Sequence, residues 1–413
     1  MTYFTYSKDT LIAEGVEIRE IAKNRTTPFY CYSKKAITEN YNNFSNSFKN
    51  IDVKICFSLK SNSNLSILKI LSNLGAGADV VSEGELKKAL KANIDANNIV
   101  FSGVGKTEEE ISFAIKNHCL QINIESLSEL NRVNAIAGNV GNKQKVALRI
   151  NPDVDPNTHG KITTGKSENK FGISVKDAFD IFKNSGEYKN IILDGIAFHI
   201  GSNINEIKPF EDSFQTASKL LQNLSDINVP IETIDVGGGV GIENVNFSYS
   251  DYSNLICKYF DTSKKQIIIE PGRSISANTG ILISKIIYIK KTEDRKFIII
   301  DAGMNDWMRT ALYDAQHEVV PIEKKQSKDS VETMIVGPIC ETTDQFISSK
   351  EYFEVKEDEY LAILNTGAYG SSMSSNYNVR PLIEEVMIDG NNYYKIRNRQ
   401  KFEDLINNEI DID

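Results

Sequence analysis

Four short stretches carry side chains whose types and spacing could do chemistry. Lys60 ends the run Ile55-Cys-Phe-Ser-Leu-Lys60. Partial desolvation there would lower an amine's pKa toward a nucleophilic form suited to a Schiff base; the alternative is a strand-terminal lysine snorkelling to water. Asp235-Val-Gly-Gly-Gly-Val-Gly241 sets three consecutive glycines behind an apolar run. Such a stretch either lets backbone N–H groups approach an anion, as phosphate sites require, or merely turns the chain tightly. Glu270-Pro-Gly-Arg273 pairs a carboxylate with a guanidinium. A carboxylate facing a pyridine nitrogen keeps that ring protonated and electron-withdrawing; a structural ion pair is the plainer reading. His199, in Phe198-His-Ile-Gly-Ser202, could stack on a flat ring or sit satisfied in a core. His118, His159 and His317 stand at no metal-ligand spacing from it, so no metal is expected.

These residues need elements that bring them together. From residue 53 to 272 the sequence repeats one theme, a β-rich apolar run with a polar or glycine ending, followed by a segment of helical period. Eight runs fit: 53–60, 77–82, 98–103, 119–126, 145–152, 193–202, 231–239 and 266–272. Near-continuous apolar strands alternating with helices predict a parallel sheet buried on both faces, and eight of them predict a (β/α)8 barrel of the TIM type; an open doubly wound sheet is the runner-up. In such a barrel reactive groups sit at the C-terminal strand ends. The endings here supply Lys60, Asp79 with Ser82, Ser102, Glu125, Arg149 with Asn151, His199 with Ser202, the three glycines, and Glu270 with Arg273. After about residue 275 come β-branched and aromatic runs without a long helical period, which predict an antiparallel β domain. The expected division is a barrel over 27–275 and a β domain over 276–413, joined by residues 1–26.

The 413 residues hold 47 Lys plus Arg against 56 Asp plus Glu, a net charge of −9, with no basic block and no basic–aromatic interleaving. That balance argues against nucleic acid or anionic lipid as the partner and favours small molecules. The five cysteines are widely spaced and odd in number, which fits neither a disulfide framework nor a paired-cysteine metal site. With no apolar stretch long enough for a leader or a span, a cytoplasmic protein is expected.

Six motifs occur in an order that resembles the fold type III pyridoxal-phosphate decarboxylases, and among them the diaminopimelate decarboxylase family. They are Phe57-Ser-Leu-Lys-Ser-Asn62, Gly75-Ala-Gly-Ala-Asp-Val-Val-Ser82, Asn169-Lys-Phe-Gly172, Phe198-His-Ile-Gly-Ser202, Gly237-Gly-Gly-Val-Gly241 and Glu270-Pro-Gly-Arg273. The resemblance runs from about residue 15 to 385. It implies pyridoxal 5'-phosphate held as a Schiff base on Lys60, stacking by His199, and Glu270 at the pyridine nitrogen. It also implies Ser202, Gly239, Gly272 and Arg273 at the phosphate and substrate side. Met308-Arg-Thr-Ala-Leu-Tyr313, Cys340-Glu-Thr-Thr-Asp344 and Gly367-Ala-Tyr369 resemble the family's stretches that grip the substrate, donate the proton and touch the phosphate.

The substrate implied is meso-2,6-diaminopimelate, converted to L-lysine and carbon dioxide as the last step of lysine biosynthesis. Arg309 would pair with its distal carboxylate and Glu341 with its distal ammonium, alongside Arg273, Tyr313 and Tyr369. Cys340 resembles the proton donor that reaches in from the second subunit of a homodimer, and Tyr377 an aromatic lining the same pocket. The family's usual proline after the arginine is Thr310 here, its Cys-Glu-Ser is Cys340-Glu-Thr342, and the lysine's usual small-residue context is Phe57-Ser-Leu. The closest rival is a related decarboxylase acting on arginine, ornithine or carboxynorspermidine; a second is a non-catalytic carrier of the cofactor.

Overall fold

The eight runs form eight strands that close on themselves. The computed structural model describes residues 3–155, 164–165 and 170–412. It divides the chain into two compact units, one of residues 40–275 and one made from the two ends, 1–39 with 276–413.

In the first unit the barrel strands are Val53–Ser58, Gly77–Val80, Ile99–Phe101, Gln121–Ile124, Gln144–Asn151, Ile191–Ala197, Thr233–Asp235 and Gln266–Ile269. Each lies parallel to the next, and the ring closes where Ile267 to Ile269 run beside Val53 to Ile55. An open sheet would leave those two strands as edges, so the doubly wound alternative is excluded. Burial on both faces accounts for the unalternating sequence: Cys56 and Phe57, Ala147 and Leu148, and Ile267 and Ile268 are all buried neighbours. A short ninth strand, Ile173–Ser174, lies parallel beside the fifth.

Helices between the strands begin on the polar strand endings. Ser82 accepts from the Glu85 N–H and Ser126 from the Glu129 N–H, so these two serines are helix caps rather than parts of a site. Thr107 with Glu110 and Ser248 with Asp251 form full capping boxes. Ile67, Leu68 and Leu71 turn the apolar face of one helix inward. A cluster of aromatic rings fastens the later helices: Phe210 lies 4.9 Å from Tyr252 and 6.4 Å from Phe214, and Phe44 lies 4.9 Å from Tyr249. Phe210→Ala would leave a cavity among those rings, and we expect it to cost about 3–5 kcal/mol, measured as a lowered denaturant midpoint with an unchanged slope.

The second unit is built on a sheet whose centre is Gly280–Lys291. It pairs antiparallel with Arg295–Ile300, with Tyr360–Ile363 and with Phe29–Ser33. The expectation of an antiparallel domain needs one correction, because two pairings are parallel: Arg295–Ile300 with Glu332–Val336, and Phe29–Ser33 with Glu384–Asp389. Parallel neighbours require long crossovers. The first crossover passes through the helix Arg309–Tyr313, and the second through the whole barrel. The units divide at 39/40 rather than at 26/27 because all five residues of Phe29–Ser33 are buried as a strand of this sheet.

Candidate active site

Lys60 follows the first barrel strand in a single 3-10 turn, Leu59–Ser61. Its Nζ donates to Asp79 Oδ2 at 2.8 Å, and Ser58 Oγ donates to the same oxygen at 2.8 Å. The Lys60 side chain is 35% exposed while that of Asp79 is fully buried. The amine is therefore held by a counter-charge inside the barrel end rather than released to bulk water. Burial pulls the Asp79 carboxyl upward, but the Lys60 ammonium and the Ser58 hydroxyl outweigh it and hold Asp79 below the usual carboxylate range. Asp79 Oδ1 is buried with no hydrogen-bond partner among the described residues.

His199 follows the sixth strand, and its Nδ1 accepts from the Gly238 N–H at 3.3 Å. That bond leaves the ring hydrogen on Nε2 of a neutral imidazole. Burial, and then the positive charges of Lys60 and Arg149, push its pKa down to about 3. A neutral ring suits a stacking role, and it cannot serve as a general base that titrates near neutrality.

The glycines after the seventh strand are required by crowding. A Cβ on Gly237 would come within 2.2 Å of the Phe198 carbonyl oxygen, on Gly238 within 2.1 Å of that of Glu270, and on Gly239 within 2.3 Å of that of Gly201. Two of their N–H groups are already used inside the protein, Gly237 to Asp235 and Gly238 to His199. The run is thus a close approach of three strand ends. Gly238→Ala would force the seventh and eighth strand ends apart, and we expect at least a tenfold loss of cofactor affinity in equilibrium dialysis, on the order of 1.4 kcal/mol or more.

Arg273 donates from Nη2 to Ser202 Oγ at 3.2 Å, which puts a guanidinium and a hydroxyl together as a phosphate end would need. Gly272 lies under Ser58 and Ser61, where a Cβ would come within 3.2 Å of both side chains. Glu270 is buried; desolvation, and then the charges of Asp235 and Asp79, push its carboxyl well above the usual range. Asp235 is pushed up to about 6, again first by burial. Arg149 and Glu125, the other charged strand ends, pair at 2.6 Å, and Glu125 also accepts from the Gly172 N–H at 2.8 Å. They serve to hold the chain at Phe171 and Gly172, over whose aromatic ring the Arg149 guanidinium lies at 4.7 Å. Asn169, the first residue of that motif, lies outside the described residues.

In the second unit the named residues fall into two clusters. Arg309 is buried, with its guanidinium 5.2 Å from the Tyr313 ring and 5.4 Å from the Tyr369 ring. Tyr369 adopts φ +56°, a left-handed conformation rare for a bulky side chain. Cys340 and Glu341 are exposed on a loop, and Tyr377 Oη donates to Glu341 Oε1 at 2.5 Å. Asp344 fixes that loop: it is buried and accepts from the Met304 N–H at 2.6 Å and the Ile339 N–H at 2.7 Å. Asp344→Ala would orphan both N–H groups. We expect about 2–4 kcal/mol lost from the unit and Cys340 alkylated several-fold faster, read by mass spectrometry.

Sequence reasoning saw Asp79 as a strand-end residue, Asp235 as the first residue of the glycine run and Asp344 as the last residue of the Cys340 motif, and gave none of them a task of its own. The signal for the first two was their position, a carboxylate on the last residues of an otherwise apolar strand. Asp344 was marked only by closing the Cys340 motif, with nothing to show what its carboxylate holds. Among the described residues no group of His, Cys, Asp and Glu could hold a metal ion, and no helix is long and apolar enough to cross a membrane.

A closed parallel barrel that carries a paired lysine, a neutral histidine, a buried glutamate and an arginine–serine pair at its strand ends defines an enzyme fitted to a phosphorylated pyridine cofactor. The family described as pyridoxal-dependent decarboxylase, pyridoxal binding domain, matches residues 34–277. The chain is 41% identical to the diaminopimelate decarboxylase of Haemophilus influenzae, over 98% of each chain. It is also 41% identical to that of Aquifex aeolicus, over 99% of this chain and 98% of the other. Among solved structures, diaminopimelate decarboxylase from Helicobacter pylori complexed with L-lysine superposes with a TM-score of 0.90 at 39% identity, covering 94% of this chain and 98% of that one. The enzyme from M. jannaschii in complex with L-lysine gives 0.92 at 35% identity over 99% and 98%. The chain belongs to the pyridoxal-phosphate-dependent carboxy-lyases of this fold, in the diaminopimelate decarboxylase family.

Proposed function

We propose that the chain decarboxylates meso-2,6-diaminopimelate to L-lysine and carbon dioxide, with Lys60 as the residue that carries the cofactor. Pyridoxal phosphate, when bound, supplies an electron sink for the bond to the departing carboxylate. The chain's own residues do the rest. Lys60 presents its amine beside the Asp79 carboxylate, which orients it across 2.8 Å. Glu270 holds the charge that keeps a pyridine nitrogen protonated, His199 offers a neutral face, and Ser202, Gly239, Gly272 and Arg273 hold the phosphate end. Arg309, flanked by Tyr313 and Tyr369, takes the distal carboxylate, and Glu341, oriented by Tyr377, takes the distal ammonium. Tyr369 also serves the cofactor's phosphate, Arg273 the substrate, and Cys340 protonates the α carbon.

Arg309 carries this reading. A buried guanidinium suits a second carboxylate at the far end of the substrate and repels the second cation that ornithine or arginine would bring. The deciding experiment adds meso-diaminopimelate to the purified protein and records carbon dioxide and lysine, with ornithine, arginine and carboxynorspermidine in parallel. Lysine from diaminopimelate alone is expected; turnover of a rival at a higher kcat/KM overturns the substrate.

The working form is a cytoplasmic homodimer in which each Cys340 serves the other subunit's Lys60, a reading supported by the exposure of Cys340 in a single chain. Mixing inactive Lys60→Ala and Cys340→Ala proteins should then restore activity, and no rescue after confirmed subunit exchange would sink the shared site. His199→Phe is expected to weaken cofactor affinity while leaving the limbs of the pH–rate profile in place, because the imidazole stays neutral down to about 3. A displaced limb would assign a proton-transfer role to His199.

A further inference from the structure

We propose that Asp235 is a positioning residue for the cofactor, tying the glycine turn to Glu270 and setting how firmly Glu270 holds the ring nitrogen. The inference rests on the reading that Glu270 faces that nitrogen. Asp235 ends the seventh strand and is 1% exposed. Its Oδ1 accepts from the Gly237 N–H at 2.9 Å, its Oδ2 accepts from Asn123 Nδ2 at 3.0 Å, and its carboxyl is hydrogen-bonded to that of Glu270. The Glu270 N–H in turn donates to the Gly237 carbonyl at 2.8 Å, so backbone and side chains both join the two strand ends.

Donors from the third and fourth strands complete the network. Asn123 Nδ2 also donates to Ser102 Oγ at 3.1 Å, Ser102 Oγ lies 3.5 Å from Glu270 Oε1, and Gln121 Nε2 donates to Asn123 Oδ1 at 2.7 Å. Gln121, Asn123, Ser102, Asp235 and Glu270 are all buried.

Two buried carboxyls in hydrogen-bond contact must share a proton, because two bare carboxylates in a low-dielectric interior repel strongly. The titratable groups facing Glu270 are Asp235, Asp79 and Lys60, with the buried thiol of Cys56 and hydroxyl of Tyr252, both pushed up by burial; Lys60 is already paired with Asp79. The Asp235–Glu270 pair therefore keeps one proton and one negative charge between them. The negative charge left on Asp235 is what makes Glu270 a stronger base and a tighter anchor for a protonated ring nitrogen.

The amide introduced by Asp235→Asn would still accept from the Gly237 N–H, but its NH2 would face the Asn123 Nδ2 donor and it can bear no charge beside Glu270. A purely structural aspartate would therefore show as lost stability and not as a moved pH response. The test strips full-length wild type, Asp235→Asn, Glu270→Gln and the double variant of cofactor and reloads each with pyridoxal phosphate. Affinity is read by equilibrium dialysis, the visible band is followed against pH, and melting serves as a control. Asp235→Asn is expected to melt somewhat below wild type, to bind about tenfold more weakly, and to change its visible band about one pH unit lower, one unit being tenfold. In the Glu270→Gln background the same change should add less than about twofold, since Asp235 acts through Glu270.

Asn123→Ala removes a donor from the Asp235 carboxylate, makes the pair more basic, and should shift the band in the opposite direction, which general damage would not do. Wild-type affinity and band in Asp235→Asn, with Glu270→Gln weakened, overturns the inference and leaves Glu270 in place. If Asp235→Asn does not fold, a downward shift in Asn123→Ala overturns it. Wild-type behaviour of Glu270→Gln overturns the reading beneath it.

Discussion

Lys60→Ala is expected to lower turnover by on the order of 10³-fold or more and to abolish covalent attachment of the cofactor. Loss of attachment is read independently of rate: after borohydride reduction the intact mass of wild type gains the cofactor and that of the variant does not. Asp79 stays behind in the variant as a buried carboxylate without its ammonium, so some loss of stability should accompany the loss of function. The two effects separate with Lys60→Arg, which restores a cation beside Asp79 but no nucleophilic amine. Melting should recover while activity does not. Turnover retained in Lys60→Ala without added amine would end the assignment.

The second large effect is expected at Arg309. Arg309→Leu should reduce kcat/KM for diaminopimelate by about 10²–10³-fold, roughly 3–4 kcal/mol, because it leaves the distal carboxylate without its bidentate partner in a buried setting. The guanidinium lies 5.2 Å from the Tyr313 ring and 5.4 Å from the Tyr369 ring, close enough for both to hold it by cation–π attraction. Arg309→Lys keeps the charge and loses the fork, so an intermediate loss is expected. A rate on diaminopimelate within a few-fold of wild type in Arg309→Leu would move the distal carboxylate to another residue.

The barrel was legible because parallel strands buried on both faces write themselves as unbroken apolar runs, and their polar ends fall where side chains face the barrel mouth. Lys60, His199, Glu270 and Arg273 could be picked out for that reason. Other features depend on contacts far apart in sequence. Phe29–Ser33 reads like any short apolar run, and only Ile281, Leu282 and Val386 beside it place it in the second unit. Asp235 read as the start of a glycine turn, because its bonds reach Asn123 and Glu270 across the barrel. Asp344 read only as the last residue of the Cys340 motif, although its carboxylate orders the turn that presents Cys340 and Glu341. The glycines were legible as a motif but not as to cause, since the crowding carbonyls belong to other strands.

The strand Phe29–Ser33 also bears on how the chain is made. It lies between Gly280–Ile283 and Glu384–Ile388, so both its neighbours emerge from the ribosome long after it does. During synthesis residues 40–275 can complete their ring while Phe29-Tyr-Cys-Tyr-Ser33 waits with both edges unpaired, a β-prone segment of low charge. Closure of the second unit must therefore wait for the last part of the chain. Nascent chains stalled before residue 384 should hold a barrel and a strand with unpaired edges at once.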